Sequence, residues 1–149
     1  MRNGFTMIEV VFVVLITGVL ASTALPRFVG LSEDAHTAKI QHFVGMLNNS
    51  IGAQLWAEVQ RNEPNIGGSV KNSTHTNQID SGRVSIPYEV NHGADIALAN
   101  CAPSGTPVSV SLTPIATSND GRYKIGCIDS SLGISPHFFL HDGSQILTQ

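Results

Sequence analysis

The sequence predicts an α+β chain: a long N-terminal α-helix, its first half apolar enough to span a membrane, packed on a small antiparallel β-sheet head with one disulfide. Three observations predict this. No charged residue stands between Glu9 and Arg27. Beyond Pro26, apolar residues recur in steps of three and four from Phe28 to Ala38 and again from Ile40 to Val59, which marks one face of a helix. After Ser69 the spacing changes to two, and both cysteines, Cys101 and Cys127, fall in that later part.

The first element is the uncharged run. From Phe5 to Pro26 a helix rising about 1.5 Å per residue is roughly 33 Å long, which matches the hydrocarbon core of a bilayer. Arg2 at its near end favours a cytoplasmic N-terminus with the remainder sent outward, a bias opposed by Arg27. Glu9 needs an explanation, because an acidic side chain in a membrane helix costs about 2.5 to 3.5 kcal/mol at the centre and less near the interface. Either a partner neutralises it, or it stays hydrated at headgroup level. Gly18 is open to two readings, a weak point of the helix or a close-packing site between helices. Pro26 removes an intrahelical hydrogen bond and disfavours helix at Leu25, so this stretch bends or unwinds more readily than its neighbours.

The second element is the stripe Phe28, Leu31, Ala35, Ala38, Ile40, Val44, Leu47, Ile51, Leu55 and Val59, widened by Phe43, Met46, Ala53 and Trp56. It predicts an amphipathic helix that ends in the Asn62, Pro64, Gly67, Gly68 cluster. Its second half reads as the core helix of the head.

In the head, Val108, Val110 and Leu112 alternate with serines and predict one strand. Tyr123, Ile125 and Cys127 predict another, less cleanly. Asp120-Gly121 and Asp142-Gly143 are turn dipeptides, the second joining Phe138–His141 to Gln145–Thr148 as a hairpin. Residues 69–107 read as a loop region, apart from a possible strand at Arg83–Val90 interrupted by Pro87. Two cysteines beyond an export signal predict one disulfide, the alternative being two small buried hydrophobes.

Charge and motifs narrow the function. The formal net charge of −3 lies wholly beyond Asn62, where Lys71, Arg83, Arg122 and Lys124 are outnumbered. The basic footprint of a nucleic-acid-binding surface is therefore missing, and no nucleic acid is expected as a partner. There is no Gly-x-Ser-x-Gly, His-Glu-x-x-His or phosphate loop, so the expectation is a chain that is not an enzyme and needs no cofactor. His137 and His141 lack a third placed ligand, and the spacing of Asp120, Asp129 and Asp142 matches no EF-hand-like loop, so no metal site is expected. The Asn-x-Ser/Thr matches at Asn48 and Asn72 read as chance.

Gly4-Phe5-Thr6-Met7-Ile8-Glu9, behind a short leader with Arg2 and ahead of the apolar run, resembles the class III signal of type IV prepilins and type II secretion pseudopilins. The resemblance implies cleavage by a prepilin peptidase after Gly4 and N-methylation of the new amine on Phe5. It also implies that Glu9 pairs with the Phe5 amine of a neighbouring subunit during assembly, and that Gly18 and Pro26 are places of kinking or melting. A pilin-like division follows: 1–4 leader, 5–26 transmembrane and filament-core helix, 27–62 amphipathic continuation, 63–149 periplasmic or extracellular β head. Ala24-Leu25-Pro26-Arg27-Phe28, followed by Leu31, Asp34 and Ala35, is similar to mannose-sensitive haemagglutinin (MSHA)-type pilins.

The implied partners are homologous pilin subunits in a filament, the prepilin peptidase, and the inner membrane with its pilus assembly platform. The implied location is the inner membrane, single-pass with the N-terminus inside, and then an extracellular pilus or periplasmic pseudopilus. The implied role is a structural subunit of an MSHA-like pilus for attachment or motility, with a type II secretion pseudopilin or competence pilin as the alternative. A different class of reading is a soluble periplasmic binding protein freed by signal peptidase near Ala21-Ser22-Thr23-Ala24, against which Glu9 stands beside the apolar core of the supposed signal.

Overall fold

The structure, a computed structural model, describes residues 6–28, 30–93 and 95–148, and of residues 25–28 only the backbone. The chain divides into two compact units, Met1–Thr37 and Ala38–Gln149. Helix α1 spans Met7–Phe28 and α2 spans Leu31–Met46. Gly30 stands between them at a φ of 105°, a backbone conformation that strains any residue with a Cβ, and its carbonyl accepts the N–H of Asp34 at 3.0 Å. The helical run expected from the spacing of apolar residues is thus broken here.

In the second unit α2 passes through a π-helical turn, Leu47–Ile51, into α3, Gly52–Asn62. The stripe separates along its length. Leu31, Ala35 and Ala38 are exposed, whereas Ile40, Phe43, Val44, Leu47, Ile51, Leu55 and Val59 are buried. The latter form one core with Ile79, Ile96, Ile125, Phe138 and Leu140 of the sheets and with Leu98 in the turn after Ala97. Ion pairs among the described residues tie the helices to the segments that follow them. Lys39 Nζ meets the buried Glu89 at 2.7 Å, and Arg83 bridges Glu58 at 2.6 Å and Asp80 at 2.8 Å. The Arg83 guanidinium holds the Glu58 carboxyl below its ordinary range.

The strands are β1 Gln78–Asp80, β2 Val90–Asn91, β3 Asp95–Ala97, β4 Ala116–Ser118, β5 Lys124–Ile128, β6 His137–His141 and β7 Ile146–Thr148. Strands β1 and β3 pair as a two-stranded ribbon, and the others form an antiparallel sheet in the order β2-β4-β5-β6-β7. Both glycine turns form where expected. Gly121, at φ 73°, lies in the turn between β4 and β5, and Gly143, at φ 93°, in the turn between β6 and β7.

Three expectations for the head need correction. Val108, Val110 and Leu112 lie in no strand: the Ser109 hydroxyl accepts the Ser111 N–H and its carbonyl the Leu112 N–H, so the serines close turns in place of a ladder. Only Val90 of the Arg83–Val90 segment joins a strand, since Arg83 and Val84 both bond back to Asp80 in a turn. The loop region 69–107 holds β1, β2 and β3, each too short to show a period.

Two contacts fix the sheet. Asn48, in the π turn, donates its amide to the Phe138 carbonyl and accepts the Phe138 N–H, both at 2.7 Å, so one side chain stands in for a strand partner beyond the reach of β7. This use of the Asn48 amide gives the Asn-x-Ser match at that position a structural role. Across the pair with β5, the Phe139 ring lies flat against Gly126, where a Cβ would fall 2.1 Å from Phe139 Cζ. Gly126→Ala is expected to lower stability by at least about 1 to 3 kcal/mol through overpacking, measurable as a shifted denaturant midpoint with unchanged slope.

Candidate functional site

The site is α1 itself, built from a capped start and a lipid-compatible surface. Thr6 begins the helix: its hydroxyl accepts the Glu9 N–H at 3.3 Å and its carbonyl accepts the same group at 3.1 Å. Thr6-Met7-Ile8-Glu9 has the spacing of a capping box, in which the acid would return a bond to the Thr6 N–H. No such return bond is made, and no described residue pairs with the Glu9 carboxylate. Its place in the first turn lets the partial positive charge of the helix N-terminus stabilise it.

Met7–Ala24 is long and apolar enough to cross a membrane, and none of this window is buried within the chain. Such a helix can face lipid only if its polar groups are satisfied internally. The hydroxyls obey this rule. Thr17 bonds to the Val13 carbonyl at 2.7 Å, Ser22 to Val19 at 2.8 Å, and Thr23 to Leu20 at 2.9 Å. Glu9 is therefore the exception, an ionisable side chain left to find its counter-charge elsewhere.

The other expected site residues divide by place. Gly4 and Phe5, the expected cleavage and methylation positions, lie outside the described residues. Gly18 lies in α1 with nothing within 4 Å of the Cβ it lacks, so no contact among the described residues requires a glycine there. Pro26 lies in the last turns of α1. Cys101 and Cys127 are joined by a disulfide and are both buried. Ala102 and Ile128 form a bridge beside it, with the Ala102 N–H bonding to the Cys127 carbonyl at 2.9 Å and the Asp129 N–H to Ala102 at 2.7 Å.

The chain is 32% identical over 91 residues to the type IV narrow pilus major component PilA5 of Thermus thermophilus, a match covering 56% of this chain and 77% of that protein. This chain belongs to the type IV pilin family. No family model matches it, and no solved structure matches it. The pilin fold is present as expected: an apolar N-terminal helix, an α+β head with antiparallel sheets, and one disulfide.

Some of this pilin's organising residues escape sequence reasoning. Asp129 is buried and accepts the Ser69 hydroxyl at 2.5 Å, the Lys71 N–H at 3.1 Å and the Ser130 N–H at 2.9 Å. Ser130 in turn bonds Val70 N–H and the Gly68 carbonyl, fastening the segment after α3 to the end of β5. The three aspartates considered for a calcium loop are thus engaged separately. Asp120 receives Ser118 and Arg122, and Asp142 accepts the N–H groups of Ser144 and Gln145 at 2.7 and 2.9 Å. Asn48 could have been noticed as a polar residue inside an apolar stripe, and His141 as a polar residue ending the apolar strand His-Phe-Phe-Leu-His.

Proposed function

We propose that this pilin is a structural subunit of an MSHA-like type IV pilus used in attachment to surfaces. The observation that carries the reading is an unburied, membrane-length helix whose hydroxyls are satisfied internally while its one carboxylate, Glu9, has no partner among the described residues. The similarity to a major pilus component supports it.

In this reading a prepilin peptidase cuts after Gly4 and methylates the amine of Phe5, which keeps its positive charge. The subunit waits in the inner membrane with its N-terminus inside, and an assembly platform delivers it to the growing fibre. There Glu9 pairs with the Phe5 amine of a neighbouring subunit. Two opposite charges in a medium of low dielectric attract strongly, and each is costly when left alone, so pairing drives docking and fixes the axial register. Gly18 and Pro26 provide places where the helix yields as subunits pack. The exposed Leu31, Ala35 and Ala38 continue the apolar surface available for packing.

Mass spectrometry of filaments sheared from cells tests this role. The chain should be a repeating subunit of those filaments. Its recovery from the periplasm as a water-soluble monomer would refute the role, and recovery in short filaments confined to the periplasm would reassign it to a pseudopilus.

A further inference from the structure

His141 closes β6 in an unusual setting. It is fully buried, and neither ring nitrogen has a hydrogen-bond partner among the described residues. Its ring stacks on Phe139 with centroids 5.8 Å apart and planes at 29°. A buried imidazole without an acceptor is tolerable while neutral and costly once charged.

The charges around it make protonation worse. In the β5–β6 register His141 stands opposite Lys124. The Lys124 ammonium reaches over the following turn, 3.9 Å from where a Cβ of Gly143 would stand. Asp142 is the adjoining acid in the chain, but its Oδ1 is taken by the backbone N–H groups of Ser144 and Gln145. Strand β7 brings no charge, being Ile146, Leu147 and Thr148, and on β4 the partner of Lys124 is Thr117. His137 lies at the opposite end of β6.

The strand on the other side of β6 is held by few pairs. Strand β7 lies at one edge of the sheet, is half-buried, and pairs with β6 at two positions across a register shift at Leu140 and His141. Strand β5, by contrast, pairs with β6 at five positions and carries the disulfide.

We propose that the β6–β7 hairpin is an acid-labile latch: uptake of a proton by His141 releases β7 from the edge of the sheet while β4, β5 and β6 stay paired. Burial, and then the Lys124 ammonium, hold the imidazole below its ordinary value, with Asp142 opposing. An opened state regains the ordinary histidine value of about 6.5, so on acidification it takes up the proton before the closed state does. The latch is therefore fully closed above about pH 6.5 and weakens as pH falls below it, until the closed form also protonates. Release bares the outer edge of β6 around Leu140, with Asn48 still covering Phe138. The latch concerns the head alone and stands apart from the filament reading.

Hydrogen exchange on the full chain in detergent micelles, at pH 7.5 and pH 5.0 with intrinsic rates corrected, tests the latch. Amides of Ile146, Leu147 and Thr148 should lose at least tenfold in protection at pH 5.0 while those of β5 keep theirs, and His141→Phe should remove the difference. Unchanged β7 protection in the parent, or the same loss in His141→Phe, would overturn the latch. Should that variant not fold, NMR titration of the His141 ring in the parent decides. Titration in step with the loss of β7 supports release, and titration with β7 still protected overturns it.

Discussion

A Glu9→Ala variant is expected to enter the membrane and lose its leader like the parent, while the yield of sheared filaments falls at least tenfold. Insertion depends on the apolar length of Met7–Ala24, which alanine only extends. The helix start survives as well, since Thr6 bonds to the backbone N–H at position 9 and not to the side chain. Under the proposed pairing assembly fails for a separate reason: the methylated amine of the neighbouring Phe5 would lose its counter-charge, and the cost of an unpaired charge in lipid would pass to the amine. If that cost is about 3 kcal/mol, as for an acid deep in the bilayer, subunit docking weakens roughly 100-fold. Glu9→Gln keeps the shape without the charge and should fail similarly. Quantitative immunoblots of sheared and membrane fractions distinguish lost assembly from lost insertion, and normal filament yield from either variant would refute the pairing.

Removing the disulfide should have the largest effect on the head. The bond joins residues 26 apart in sequence. For a loop of that length the chain-entropy model gives about 3 to 4 kcal/mol, a large share of the stability of any small domain. Cys101→Ala with Cys127→Ala is expected to lower unfolding stability by this amount in denaturant titrations. The buried sulfurs also fill space, so alanine adds a small cavity cost in the same direction. The Ala102–Ile128 bridge and the hydrogen bonds around Asp129 should keep the native topology in the variant, with unchanged near-ultraviolet spectra at low denaturant. A loss below about 1 kcal/mol would mean that the reduced, unfolded chain already holds these segments together.

What could be read from the sequence follows the range of the interactions involved. Helix α1 was legible because an uncharged run of membrane length needs no tertiary information. The hairpin of β6 and β7 was legible because Asp142-Gly143 dictates a turn wherever it stands. Strand β5 showed only weak alternation for a physical reason: four of its five residues are buried, so both faces of the strand are covered and no polar face marks the period. At Val108, Val110 and Leu112 the alternation was present but misleading. All three are partly buried, yet Pro107 and Pro114 flank them and Ser109 supplies local bonds that compete with a ladder.

The candidate site was legible at Glu9, an acid set in an apolar run, and at the two cysteines. Asn48 and His141 stand out in the sequence only as polar residues in apolar company, and their roles, like that of Asp129, come from partners 60 to 90 residues away or from burial within a strand pair. Thr6 carries a local signal, since a Thr three residues ahead of a Glu marks a helix start.

The mass of the N-terminal peptide of chains recovered from sheared filaments tests most directly whether a freshly exposed amine partners Glu9. The expected peptide begins at Phe5 and carries one added methyl group on its amine. A filament subunit that still carries Met1 to Gly4, or one that begins near Ala24, would contradict it.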